Sequence, residues 1–165
     1  MNIRELKEKD APLMLEWMHD QAVVRDMRTP FAEKTLRDCM AFIQYSNGTQ
    51  KDLNLAVVDD NDEYMGTVSL KHIADGMAEF GITVRKCAMR KGYSEYAMRE
   101  IIRIGFREKN LHKIYWCVSP ANARAIRFYD KNGYGRIREV PAPAWKNYSE
   151  DEIHTFVWYE VNNSD

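Results

Sequence analysis

The stretch "VRKCAMRKGYSEYAMREIIRIGF", Val84 to Phe106, sets Arg85, Lys86, Arg90 and Lys91 around Gly92, where an extended apolar run gives way to an amphipathic helical pattern. Those residue types in that order suit a phosphate. The first N–H groups of a helix have no internal acceptor and lie at the positive end of its macrodipole, so they can receive anionic oxygens. Gly92 leaves no side chain where backbone must approach a ligand, and Arg90 and Lys91 add charge at the rim. A solvated helix start with a run of surface charge is the competing explanation of the same residues.

A second stretch, "SPANARAIRFYDKNGYGRI", places Asn122, Ala125, Tyr129, Gly133 and Tyr134 in the pattern N-x-x-A-x-x-x-Y-x-x-x-G-Y. Residues three and four apart share a helix face, so Asn122, Ala125 and Tyr129 line up. Asn122 at the helix start can bridge backbone or a ligand amide, and Tyr129 can deliver a phenolic proton. An ordinary capped helix with a core tyrosine fits the same spacing.

The elements that would hold these residues read as follows. "NIREL" is a short opening strand, and "DAPLMLEWMHD" a helix behind a candidate Asp10 cap. After Thr29-Pro30, "EKTLRDCMAFIQYSN" is a second helix, ending near Asn47-Gly48. "LNLAVVD" and "YMGTVSLKHI" form a hairpin across "DNDE", with "MAEFGITV" as the next strand. The helix opened by the basic turn runs from about Ser94 to Lys109, "KIYWCV" is a strand, and the Asn122 helix stops at Asn132-Gly133. "RIREV" and "EIHTFVWYEV" are closing strands on either side of the loop "PAPAWKNYSED", and only "NNSD" reads as frayed. This is a mixed α/β layer pattern.

Composition narrows the function. At 165 residues and 45% hydrophobic content the chain suits one domain, residues 1–165, with a substantial core. A formal charge of -1 gives no global attraction to nucleic acid or to acidic membranes. Between Arg85 and Lys113, however, nine basic residues face three acidic ones, so an anion can be held locally. No apolar run of about 18 residues and no signal-like N-terminus are present, which makes a cytoplasmic protein the expectation. Cys39, Cys87 and Cys117 are odd in number and widely spaced, which favours neither disulfides nor a metal site.

Together the two motifs resemble the GNAT superfamily of acyl-CoA-dependent N-acyltransferases. Its phosphate loop, Q/R-x-x-G-x-G/A, follows a strand ending in valine; here "FGITV" ends at Val84, and Met89, Gly92 and Ser94 hold the three patterned positions. Only Gly92 matches strictly, whereas the Asn122, Tyr129 and Gly133 pattern matches closely. The similarity runs along nearly the whole chain. It leans toward the branch with ribosomal-protein N-terminal, polyamine and amino-sugar acetyltransferases, through "IRELKEKDAPLMLEWMHD" and "YMGTVSLKHI". The resemblance implies a mostly antiparallel sheet of about seven strands with about four helices, splayed at a cofactor cleft. It further implies that Ile82, Thr83 and Val84 bind the acyl and pantetheine end of acetyl-CoA, and that the backbone from Arg90 through Lys91, Gly92 and Tyr93 to Ser94 takes the pyrophosphate. Asn122 would contact the pantetheine arm, and Tyr129 would face the sulfur.

Acetyl transfer to an amine needs a deprotonated nucleophile and a donor for the leaving thiolate. Tyr129 fits the donor and Glu79, on the strand that builds the acyl site, the base; a solvent-facing or salt-bridged Glu79 is the alternative. His72 is a second base candidate. Cys117 stands where some family members carry a carboxylate, and a cysteine acyl intermediate is the minor path. Trp17, Met27, Phe31 and Tyr115 read as an acceptor wall or as core. The expectation is an acetyl-CoA-dependent N-acetyltransferase acting on a small primary amine, with a nucleotide-linked amino sugar favoured. The alternatives are a peptide or ribosomal-protein N-terminus as acceptor, or a non-catalytic acyl-CoA-binding module. No nucleic acid, membrane or metal partner is expected, and a homodimer stays open.

Overall fold

In the computed structural model, which describes residues 1–163, the apolar runs bounded by turn residues become strands. They are β1 (Asn2–Glu5), β2 (Leu53–Val58), β3 (Tyr64–Ala74), β4 (Met77–Val84), β5 (Lys113–Val118), β6 (Gly135–Ile137) and β7 (Val157–Asn162). The helices are α1 (Ala11–Met18), α2 (Gln21–Val24), α3 (Leu36–Ser46), α4 (Tyr93–Arg107), α5 (Ala123–Lys131) and α6 (Glu150–Thr155). All seven strands join one sheet in the order β1-β2-β3-β4-β5-β7-β6. Every neighbouring pair is antiparallel except β4 and β5, which run parallel.

Period-two alternation divides the sheet into two differently covered faces. On one face Phe80, Ile114, Trp116 and Tyr159 pack with Met98 and Ile101 of α4 and with Tyr129 of α5. On the other, α1 and α3 cover Ala56 and Val58. The segment from Val140 through α6 covers the remaining part, packing Ala144, Tyr148 and Ile153 on Tyr115, Cys117 and Trp158. Glu79 lies between Ala78 and Phe80 in β4 and therefore points away from the α4 and α5 side.

Five local details differ from the sequence reading. Asp10 does not cap α1; it is buried and accepts two hydrogen bonds from the Arg4 guanidinium, at 2.8 and 2.9 Å, and one from the Lys7 N–H. Both its oxygens are thereby turned to the Arg4 guanidinium, and no side-chain bond to the α1 N–H groups forms. "EIHTFVWYEV" is not one strand, because Ser149 and Glu152 close a capping box that winds its first half into α6. "RIREV" pairs with β7 only from Gly135 to Ile137, ahead of Pro141, which sets up the short 3-10 turn Ala142–Lys146. The short α2 was not expected from the sequence; Asp20 caps it through the Ala22 N–H. β7 lies between β5 and β6, so both its edges are occupied within the chain. In "NNSD", Asn162 ends β7 and the Asn163 N–H reaches the His112 carbonyl at 3.0 Å; Ser164 and Asp165 lie outside the described residues.

Gly66 sets how closely β3 lies against the end of β4. A Cβ there would overlap the Thr83 carbonyl oxygen and stand 2.9 Å from the Val84 Cα, both backbone atoms that cannot swing aside. Gly66→Ala is expected to destabilise the fold by about 1–3 kcal/mol, as overpacking does. Thermal unfolding checks this, with an unchanged midpoint as the contrary result.

Candidate active site

β4 and β5 share only three register pairs, Met77 with Lys113, Ala78 with Ile114 and Glu79 with Tyr115. Beyond that point β4 stays paired to β3 as far as Val84, and β5 stays paired to β7 as far as Val118. The sheet is forked, and each arm is held by its outer neighbour. Phe80 and Trp116, the first residue on each arm, pack edge-on at 5.4 Å between ring centroids. The Tyr129 ring sits over both, 6.4 Å from Phe80 and 5.3 Å from Trp116, and Trp116 stacks on Tyr159. These rings fill the crotch of the fork from the α5 side. Ile82, Thr83 and Val84 line one arm, with backbone groups facing no partner strand on the fork side.

The turn after β4 presents free backbone donors. Arg90 and Gly92 both have positive φ, 62° and 88°, and Gly92 forms the N-cap of α4 without a side-chain cap. The first bond of α4 is from the Tyr96 N–H to the Gly92 carbonyl. Among the described residues no acceptor meets the N–H groups of Arg90, Lys91, Gly92, Tyr93, Ser94 or Glu95. Left-handed residues that turn successive N–H groups inward make an anion-binding concavity. Lys86, Arg90 and Lys91 are exposed beside it, whereas Arg85 is spent on Glu16 through bonds of 2.9 and 3.0 Å. Arg124 of α5 reaches the Met89 sulfur at 3.1 Å and adds a cation from the opposite arm.

Asn122 caps α5, its side-chain oxygen accepting from the Ala125 N–H at 3.2 Å. It also lines a hollow of about 210 Å³ with Ala22, Arg25, Asp26, Arg124 and Arg127. Tyr129 is buried, its hydroxyl has no hydrogen-bond partner among the described residues, and burial pushes its phenol up. Such a group keeps its proton at neutral pH.

Glu79 is 3% exposed, which removes the solvent-facing alternative. Its Oε2 accepts a hydrogen bond from the Tyr148 hydroxyl at 2.7 Å and lies 3.3 Å from the Lys71 ammonium, while Oε1 is buried with no partner. His72 is exposed where β3 leaves register beside the β3–β4 turn, on the side of Glu79 away from the fork, and its own N–H is held by Asp52. Cys117 is half-buried beneath Tyr148, and burial pushes its thiol up to about 12. Trp17, Met27 and Phe31 pack in the α1 and α3 core, and Tyr115 is wholly buried opposite Glu79.

Residues 1–135 match the acetyltransferase (GNAT) domain. The chain belongs to the GNAT acetyltransferase family. This GNAT chain is 29% identical over 135 residues to the uncharacterized N-acetyltransferase YnaD of Bacillus subtilis, which covers 81% of it and 78% of the relative. Its fold is similar to that of the spermidine N-acetyltransferase of Vibrio cholerae in complex with CoA and spermine, with a TM-score of 0.78, 18% identity, and coverage of 99% and 95% of the two chains. A GNAT family acetyltransferase from Bacillus anthracis gives a TM-score of 0.75 at 20% identity, over 99% and 95%. The sheet and the two motifs were legible in the sequence of this GNAT enzyme; Tyr148, Lys71 and Arg28, which surround Glu79, were not. Lys71 follows from register alone, since it stands directly opposite Glu79 in the β3–β4 pairing. Tyr148 lies in a loop without periodicity, 69 positions away, and carried no signal.

Gly92→Val fills the concavity and strains a left-handed residue by about 1–2 kcal/mol, so CoA affinity falls while the fold persists. Arg90→Ala loses less, and that loss shrinks with salt, since exposed charges are screened over about 8–10 Å. Calorimetric titration with CoA checks both, and equal affinities for Gly92→Val and the parent protein would move the phosphate site elsewhere.

Proposed function

We propose that this enzyme transfers the acetyl group of acetyl-CoA directly to the primary amine of a small acceptor. One observation carries the reading. Glu79 and Tyr129 lie on opposite faces of the sheet, and the fork between β4 and β5 opens immediately beyond Glu79. A thioester lying in the fork meets the acceptor and Glu79 from one side and Tyr129 from the other. Glu79 then takes the amine proton, directly or through water, as nitrogen attacks the carbonyl carbon. Tyr129 gives its proton to the departing sulfur, whose thiol has an ordinary pKa near about 8.5 and leaves better as its charge is met. The N–H groups from Arg90 to Ser94 suit the pyrophosphate, and Ile82 to Val84 suit the pantetheine arm. Asn122, already committed to its cap through oxygen, has its amide nitrogen for the same arm. The raised Cys117 thiol leaves little thiolate at neutral pH, which supports direct transfer over an acyl-cysteine.

The favoured acceptor is the amino group of a nucleotide-linked sugar. This preference follows the resemblance described above; Lys71 is paired with Glu79 at 3.3 Å and Arg28 with Glu152 at 2.7 Å, so neither cation argues for one acceptor charge over another. Thiol release from acetyl-CoA with amino-sugar nucleotides, polyamines and peptide N-termini tests the class. Release with polyamines or peptides alone would replace the sugar reading, and CoA binding without release for any amine would leave a regulatory module.

Tyr129→Phe keeps the ring in its aromatic setting and removes one hydroxyl. Turnover is expected to fall on the order of 10²-fold with CoA affinity unchanged; wild-type turnover would make Tyr129 a packing residue. Glu79→Gln cannot hold the proton, so turnover falls at neutral pH and partly recovers at alkaline pH, where free amine is abundant. His72→Gln, altered on the side of Glu79 away from the fork, is expected to leave the pH–rate profile intact.

A further inference from the structure

The unequal treatment of the two Glu79 oxygens points to a residue outside both family motifs. Oε2 is doubly engaged, by the Tyr148 hydroxyl at 2.7 Å and the Lys71 ammonium at 3.3 Å, and Oε1 is buried and unpartnered. A buried acceptor left without a donor is costly, and such atoms are seldom left bare without a reason. Tyr148 is itself held in place from two sides. Its ring packs edge-on against Trp158 at 5.1 Å, and the Arg28 guanidinium lies over its outer side, 4.2 Å from the centroid. Arg28 in turn grips Glu152 with bonds of 2.7 and 3.1 Å and donates to the Asn147 carbonyl at 3.3 Å. The chain between α2 and α3 is thereby fastened to the loop before α6 and to α6 itself, and the Tyr148 phenol reaches from that clasp to the carboxylate.

We propose that Tyr148 is the positioning residue for Glu79: it occupies Oε2 and fixes the carboxylate so that Oε1 is the oxygen turned to the acceptor amine, and the Arg28–Glu152 clasp keeps it there. This rests on the reading of Glu79 as the base. The phenol is suited to a permanent donor, since burial first, and then the charge of Glu79, hold its proton on more tightly than in a free tyrosine. A hydrogen bond given to an ionised carboxylate favours the ionised form. The charged and titratable groups around Glu79 are Lys71 from β3, Tyr115 and Cys117 from β5, and Tyr148 with Arg28 behind it from the covering loops. Of the hydroxyl and thiol donors among them, only Tyr148 makes a hydrogen bond to the carboxylate among the described residues.

Tyr148→Phe tests this, because it keeps the ring against Trp158 and under Arg28 and removes only the donor. With the acceptor that gives thiol release, kcat is expected to fall about tenfold, the usual worth of a hydrogen bond to a charged group. The acid limb of the pH–rate profile should move to higher pH, since a hydrogen bond given to a carboxylate favours its ionised form and here it is removed. CoA affinity should stay unchanged, and the thermal midpoint should fall by a few degrees, since a buried carboxylate loses one of its two partners. Arg28→Met should produce a smaller movement in the same direction. Loss of kcat with an unmoved acid limb would overturn the proposal by reducing Tyr148 to packing, as would a larger movement for Arg28→Met than for Tyr148→Phe. Glu79→Gln separates the two levels: if it retains wild-type turnover, the base assignment fails and this inference with it. If it loses turnover while Tyr148→Phe behaves as wild type, only this inference falls.

Discussion

The three-pair contact between β4 and β5 is the constraint on which the site depends. A parallel pair that continued to Val84 and Val118 would close the sheet and separate its two faces completely. Here each strand keeps its outer partner while the inner pairing stops after Glu79 and Tyr115, so the arms remain rigid as they part. Unpaired backbone donors and acceptors along the arms are costly unless water or a ligand meets them. Phe80 and Trp116, edge-on at 5.4 Å, and the Tyr129 ring over both fill the crotch from the α5 face, so the place where the arms part is packed with side chains.

Charge is distributed around the fork by function. At its open end the turn from Arg90 to Glu95 offers backbone N–H groups and exposed lysine and arginine side chains, a setting for an anion that requires no buried charge. At its closed end one carboxylate is buried with a cation and a phenol on the same oxygen. Burial of Glu79 would be prohibitive without those partners. On the opposite face Tyr129 has aromatic neighbours and no ion pair or hydrogen bond from its hydroxyl among the described residues, so its proton is retained by burial. The same sheet thus gives the proposed base and the proposed acid opposite surroundings, as groups with different proton-handling tasks require.

What the sequence disclosed follows the range of the interactions involved. Gly92, the Asn122 cap and the Asn132-Gly133 stop are local, and each was readable from residue type and spacing. The face of Glu79 was readable from alternation with Phe80 and Ile82. Its burial was not, because it depends on a loop that begins some sixty positions later and on register with Lys71. Two misreadings had local signals that were overlooked. Ser149-x-x-Glu152 is a capping box, yet the Ile, Thr and Phe that follow drew the reading toward a strand. Asp10 stood where a cap belongs, but Arg4 on the neighbouring strand claimed both its oxygens. The clasp that ties Arg28 to Tyr148 and Glu152 joins segments 120 and more positions apart and left no periodic trace.

The central claim is that the fork itself receives the cosubstrate, and residue-resolved amide exchange with and without CoA tests it most directly. Binding in the fork should newly protect the fork-facing amides between Phe80 and Val84 and those from Arg90 to Ser94. Met77 and Glu79, already paired on both sides, should change little. Protection confined to other parts of the chain, with the Phe80–Val84 amides exchanging as before in the CoA-saturated protein, would contradict the account.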